Sequence, residues 1–478
     1  MHFKTIFKSF KNKDMLKRIL IILGIIVAYR LLAQIPVPMG DASTFKEAVS
    51  NLLEKSDFSN FLNLISGGGL ASFSIILVGL SPYITGSIVM QLLSKAIPRL
   101  EELSNDGETG RRKINQWTRM LTVPLAIIQS IAYIFILYQS TISANISTDF
   151  VPTMGDWVLS VTAMTAGSLI LMWMGELITE QGIGNGISTL IFASIISQLP
   201  HTMAQLGSAL FDTSTSGPLQ LFGGLEIPVN PQIFWIIFGF VIAMLIVIYF
   251  LVKLNEAQRI ITINYAKRVH GNSTYGGIRS ILPIKLIAAG VIPVIFATAF
   301  LSLPALVGQV ITSFDSGNQV GAWLTTVFSA PSASNFSTMY PDGITGQWFV
   351  YPIMYFLLVF MFTYFYTSII FNTKEIADNL QKQGGFIEGV RPGGKTAEYL
   401  SKVVRRLDLF GALALGLIAM LPFATDYIFI LTTGAPLGLS ISGTGLLIVV
   451  TVALENLRSV DSRALMITYD DFSNEPEN

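Results

Sequence analysis

The chain has 478 residues, 51% hydrophobic and only 13% charged, with mean hydropathy +0.60 and a formal net charge of zero. Soluble domains carry about 25% charged residues, so a soluble fold is excluded, and the balanced charge argues against a nucleic-acid partner. The absence of cysteine rules out disulfides and iron–sulfur clusters, and His2, His201 and His270 are too scattered to build a metal site.

In chain order, the basic arm 1–18 runs into an apolar stretch with no small-residue cleavage site behind it, and so reads as a retained first span. Candidate spans follow at roughly 19–36, 74–94, 119–139, 156–178, 187–205, 233–252, 286–306, 348–371, 408–425 and 438–455. Each is near the length needed to cross a bilayer core of ~30 Å. The fifth is the weakest, because it meets Pro200 early and needs residues 201–211 to cross. Ten spans place both termini on one side. The segments 1–18, 95–119, 253–285 and 374–406 and the tail hold 27 of the 30 Lys and Arg residues, which assigns that side to the cytoplasm.

The stretch from Asn60 to Leu93 is divided. From Ser74 it is apolar enough to span. Before that, Asn60, Asn63, Ser66 and Gly67-Gly68-Gly69 make a poor lipid-facing helix. Two readings stand side by side: a short re-entrant segment inside a protein-lined cavity, and an ordinary outer loop entering a Pro-kinked helix.

Two cytoplasmic segments exceed simple connectors. Residues 253–285 contain a β-like run at Arg259–Ile263 and a turn at Gly271-Asn272, and residues 372–406 read as helix, Gly/Pro-rich tip, helix. Basic loops beside a membrane fix topology or meet anionic lipid; long structured ones can also dock a large partner. Two glycine motifs are decoys. Gly389 to Thr396 satisfies G-x-x-x-x-G-K-[ST], yet no α/β domain is available to house a phosphate loop, and Gly182–Gly186 follows a span rather than a strand. Within the spans, Leu80 and Ile84 flank Pro82, Ile187 and Ile191 open the fifth span, Ile295 follows Pro293, and Ile448 lies in the tenth. Nothing in the residues alone makes them converge. The spans hold no paired carboxylates of the kind a proton-coupled pump uses.

GLSPYITGSIVMQLL (79–93), NDGETGRRKINQWTR (105–119), GIGNGIS (182–188), NYAKR (264–268), AGVIPVIFA (289–297), FNTKEIADNLQKQGGFIEGVRPGGKT (371–396) and GTGLLIVV (443–450) resemble, in order, the SecY family of bacterial protein-translocation channels. The resemblance covers nearly the whole chain. It implies an all-α polytopic protein with ten transmembrane helices in two inverted five-helix halves around a pore. The first half would be 19–205, an external hinge loop 206–232, the second half 233–455 and a cytoplasmic tail 456–478. It further implies a pore ring of Leu80, Ile84, Ile187, Ile191, Ile295 and Ile448. The plug would lie at about 60–73, including Asn60, Leu64, Ser66, Gly67, Gly68 and Gly69. A lateral gate between spans two/three and seven/eight would carry Ser87 and Gln129. Arg259, Lys267, Arg268 and Arg391 would dock the motor ATPase SecA and the ribosome. The small membrane subunits SecE and SecG, signal peptides, unfolded preproteins and lipid would be partners, the membrane would be the inner one, and no cofactor or catalysis is implied. Where many members have adjacent arginines, this chain reads Arg259-Ile260, and Asn272-Ser273 replaces a basic pair, so docking charge on the first loop is thinner. The rival readings are a secondary transporter and an anion or solute channel, both sharing inverted repeats and broken helices, and, third, the membrane subunit of an ABC system.

Overall fold

The computed structural model describes residues 13–38, 73–143, 153–211, 219–221, 225–227, 229–265, 268–270, 273–275, 279–315, 317–329, 349–433 and 443–473. The first half comprises α1 (Lys13–Leu32), α2 (Ser81–Ala96), α3 (Pro98–Asn105), α4 (Gly107–Ser143), α5 (Met154–Glu180) and α6 (Gly186–Phe211). A short antiparallel pair, β1 (Leu219–Leu221) and β2 (Leu225–Ile227), leads to the second half. That half begins with α7 (Pro231–Glu256) and strands β3 (Gln258–Tyr265), β4 (Arg268–His270), β5 (Ser273–Tyr275) and β6 (Arg279–Lys285). It continues with α8 (Ile292–Phe314), α9 (Gln319–Phe328), α10 (Val350–Ile370), α11 (Thr373–Lys382), β7 (Gly385–Phe386), α12 (Gly394–Thr433) and α13 (Gly443–Ser473).

Among the described residues, five stretches are long and apolar enough to cross a membrane: Thr109–Gln139, Met154–Glu180, Ile237–Glu256, Ile292–Phe314 and Val350–Lys382. The remaining predicted spans fall on α1, α2, α6, α12 and α13. Helix α7 shows how such a chain inverts soluble rules. Trp235, Phe238, Leu245, Tyr249 and Phe250 are all exposed, as side chains facing lipid must be.

Four boundaries differ from the sequence expectation. The second span is not helical from Ser74; α2 begins at Ser81, because Gly79 takes φ +64 and Pro82 stands in the first turn. Likewise the span expected from 286 starts only at Ile292, after Gly290 at φ +62. The segment 206–232 is not all loop. Helix α6 runs through Pro200 to Phe211 and α7 begins at Pro231. Finally, the tail expected from 456 continues as α13 to Ser473.

The main apolar cluster among the described residues draws on both halves, from Ile22 and Tyr29 of α1 to Leu447 and Val452 of α13. A second, smaller cluster joins Phe73 and Leu77 to Tyr133, Ile134 and Leu137 of α4 and to Ala305 and Leu306 of α8. A third lies among β3, β6 and α12, around Ile261, Ile284, Ile387, Leu400 and Val404.

Candidate pore, seam and platform

Two helices enter the core through the same local break. Gly79-Leu80-Ser81-Pro82-Tyr83-Ile84 and Gly290-Val291-Ile292-Pro293-Val294-Ile295 share the pattern G-x-x-P-x-I. In both, glycine supplies the left-handed turn that an L side chain resists. The next residue caps the helix at φ −90 for Leu80 and φ −88 for Val291, and proline follows inside the first turn, where its missing N–H costs no helical bond. The first turns close by Ile84 N–H donating to the Leu80 carbonyl at 3.0 Å and Ile295 N–H to the Val291 carbonyl at 3.3 Å. Each isoleucine thus stands one turn into a helix whose start is set by backbone conformation.

The non-helical run before α2 is satisfied internally, as backbone at membrane depth must be. Val37 N–H donates to the Phe73 carbonyl at 2.9 Å and Ile75 N–H to the Ile35 carbonyl at 3.0 Å, forming a bridge at Pro36 and Ser74. On the other side α5 presents small residues. Ser168 Oγ donates to the Gly79 carbonyl at 2.9 Å, and a Cβ at Gly167 would fall on the Ile75 carbonyl.

At the start of α6, Asn185 Oδ1 accepts from Ile187 N–H at 3.0 Å and from Ser188 N–H at 3.5 Å. That capping geometry satisfies orphan donors of the first turn and aims Ile187 and Ile191 along one face. Leu80, Ile84, Ile191, Ile295 and Ile448 are all buried in the large core cluster, and Ile187 packs against it half-buried. Residues 60–69, carrying Asn60, Leu64, Ser66 and the three glycines, lie outside the described residues.

The halves meet at a front seam where α8 packs on α2 and α4. Ser87 is half-buried and its Oγ accepts from Gln91 Nε2 at 3.1 Å. Gln129 is only 3% exposed, and its Oε1 has no hydrogen-bond partner, nor have the hydroxyls of Thr85, Ser130 and Thr165. Buried polar groups left unbonded weaken a packed interface, so α2, α4 and α5 carry a polar weakness in an otherwise apolar core. Two residues here escaped the sequence reading: Phe135 of α4 stacks on Phe314 of α8. Aromatics abound in the spans, and nothing in their spacing singles out this pair.

The segments 253–285 and 372–406 join in one sheet. Strand β3 pairs antiparallel with β6 on one side, with Arg259 opposite Ile284, and with β7 of the other segment on its second side, with Asn264 opposite Phe386. Alternation buries Ile261 and Ile263 and exposes Arg259, Ile260 and Thr262. Residues 266 and 267 are outside the described set, which leaves Lys267 unplaced, and Arg268 lies on β4 paired with Tyr275. Arg391 is exposed on the tip before α12. In the phosphate-loop decoy, Thr396 Oγ1 donates to the Arg391 carbonyl at 2.9 Å and Lys395 pairs with Glu398 at 3.0 Å, so the tip is closed by its own residues. Lys395 and Lys402 together hold the Glu398 carboxyl below its usual range. Burial and the neighbouring Arg458 push the Lys285 ammonium below the lysine range, with Glu455 opposing.

Apolar helices broken by glycine and proline, packed in two halves around an aliphatic core, with a structured platform on one face, define a multi-pass membrane protein. The SecY family profile matches residues 74–457. The protein translocase subunit SecY of Streptomyces scabiei is 39% identical over 97% of this chain and 98% of its own length. That of Corynebacterium glutamicum is 37% identical over 98% and 99%. The chain belongs to the SecY family of protein-translocase channel subunits. Its fold is similar to a solved structure described as a protein-conducting channel (TM-score 0.63, 19% identity, 92% of this chain and 90% of that one). It is also similar to Sec61 in a canine ribosome–channel complex (TM-score 0.59, 18% identity, 92% and 90%).

Proposed function

We propose that this chain is the pore through which unfolded secretory proteins cross the inner membrane, and that it releases apolar segments sideways into lipid. Leu80, Ile84, Ile187, Ile191, Ile295 and Ile448 form the closing ring, residues 60–73 are the plug beneath it, and the front seam is the lateral gate, with Ser87 and Gln129 on its face. The observation that carries this reading is the twin G-x-x-P-x-I break, which seats Ile84 and Ile295 alike in one aliphatic core. A narrow aliphatic constriction dewets and so blocks ions. Its side chains form no hydrogen bonds, which lets them close around any passing sequence. A transporter would need coordinating or ionisable groups where this chain has isoleucine.

The joined platform of β3, β6, β7 and α12 docks SecA or the ribosome through Arg259, Lys267, Arg268 and Arg391, and these partners supply the energy. The chain itself catalyses no reaction. SecE and SecG brace the halves, and both termini lie in the cytoplasm, following the Lys and Arg distribution.

The test is ion conductance in planar bilayers, comparing the intact channel with one lacking residues 60–73. A silent intact channel and a conducting deletion are expected. Equal conductance in the two would remove the plug from this reading.

A further inference from the structure

The sheet that joins the two platform segments has two unlike faces. On its inner face Ile261 of β3 and Ile284 of β6 pack against Leu400, Val403 and Val404 of α12. Its outer face is exposed and largely apolar. The register sets Ile260 opposite Pro283 and Thr262 opposite Ile281, and Asn264 stands between Arg279 of β6 and Phe386 of β7. Residues paired in this way share a face, and alternation along β3 brings 260, 262 and 264 to the same side. Ile260 is 56% exposed, Ile281 60% and Phe386 37%, and Pro283 is exposed beside them.

Among the described residues, charge stands only at the ends of this face. Arg279 is at one end, and Lys285, opposite Gln258, is at the other, where it lies within electrostatic reach of Glu455. Arg259, next in sequence to Ile260, has the opposite parity and pairs with Ile284. A surface that meets nucleic acid needs cations to neutralise phosphate, and an anionic bilayer surface asks the same. The middle of this face offers none. It is also long, because Gln258 and Asn264 are about 20 Å apart along β3. A face dipped into a bilayer buries only about 5–10 Å. An exposed apolar centre within a polar rim is the composition of a protein–protein interface.

We propose that Ile260, Ile281, Pro283 and Phe386 form an apolar patch that docks a folded protein, so that this part of the platform takes a protein motor and not ribosomal RNA. This rests on the proposed role of the platform and divides its labour. Arg391 at the tip attracts a partner through charge, which salt screens. The patch holds it through apolar area removed from water, which salt does not screen. Because α12 backs the sheet, the patch is formed before the partner arrives, and little ordering opposes docking.

The chain has no cysteine, so Ile281→Cys can carry a single environment-sensitive dye. In proteoliposomes alone the dye is expected to report water. Adding SecA should shift its emission to the blue, and adding empty ribosomes should not. Quenching by spin-labelled lipid before any partner is added would mean that the bilayer covers the face, and overturns the patch. An emission that ribosomes shift, or that SecA leaves unchanged, overturns it as well. The energetic arm is Ile260→Thr/Ile281→Thr, which keeps β-branched side chains at exposed strand positions. SecA affinity is expected to fall about tenfold at low and high salt alike, the factor for about two buried methylene groups, with ribosome affinity unchanged. Unchanged SecA affinity overturns the patch. Arg391→Glu separates this inference from the reading beneath it. If that variant weakens binding and the threonine pair does not, the patch alone fails; if it alters the binding of neither partner, the platform itself fails.

Discussion

The rings of Phe135 on α4 and Phe314 on α8 stack with centroids 4.3 Å apart and planes 26° apart, joining the two halves across the front seam. Aromatic pairs of this kind contribute about 0.5–1.5 kcal/mol beyond their area. If the seam is the exit for apolar segments, this contact is part of its closed state. Phe135→Ala and Phe314→Ala should each speed translocation of a preprotein with a weakened signal peptide, and the double variant should gain little more. Additive gains in that double-mutant cycle would place the two rings in separate roles.

The ring makes a second prediction. Replacing Ile84, Ile191 and Ile295 together with serine shortens each side chain and lines the widened constriction with hydroxyls that hold water. Resting conductance should rise even with residues 60–73 present. A silent triple variant would show that the seal lies elsewhere.

Gly79 and Gly290 sit at φ +64 and φ +62, where an L side chain costs about 1–2 kcal/mol. Gly79→Ala and Gly290→Ala should each lower the thermal midpoint of the detergent-solubilised protein. The Gly79 carbonyl also accepts from Ser168, so Ser168→Ala should lower the midpoint less, by one buried hydrogen bond. Unchanged midpoints in both glycine variants would mean that the breaks are not set by these conformations.

On the platform, Arg391 is exposed at a tip closed beneath it by the Thr396 hydroxyl, which donates to its carbonyl. Arg391→Glu should reduce in vitro translocation more than Arg268→Glu does, and both losses should grow as salt is lowered. Comparable losses from the two would contradict a dominant second segment.

Glu398 illustrates the pH sign. Its carboxyl is held below its ordinary value of 4.5 by Lys395 and Lys402, so its contribution to stability is present at neutral pH. That contribution fades only as pH falls from the ordinary value through the lowered one. Being exposed, the pair is screened and the effect is small. Glu398→Gln should lower the thermal midpoint slightly at pH 7 and not at all at low pH.

Much of this was legible beforehand, for physical reasons that act locally. The Lys and Arg asymmetry and the apolar runs marked the membrane frame, and the β-like run at Arg259–Ile263 became β3. The motifs in order marked the family. Helix starts were misplaced where glycine conformation overrides hydropathy: an apolar run at 74–80 or 286–291 looks like helix until Gly79 and Gly290 turn left-handed. The G-x-x-P-x-I repeat that signals both breaks stands in the sequence itself. The two fragments stand more than two hundred residues apart.

What the sequence determined by itself is everything governed by neighbours along the chain: which segments prefer lipid, which side is basic, and where glycine and proline can interrupt a helix. The tertiary structure alone decided what depends on distant partners. It paired β3 with β7 from another segment, stacked Phe135 on Phe314, and set Asn456 against Thr189 and Arg463 over Gly182. Such contacts follow from how rigid helices pack in three dimensions, and side chains of ordinary type at ordinary spacing carry no local mark of them.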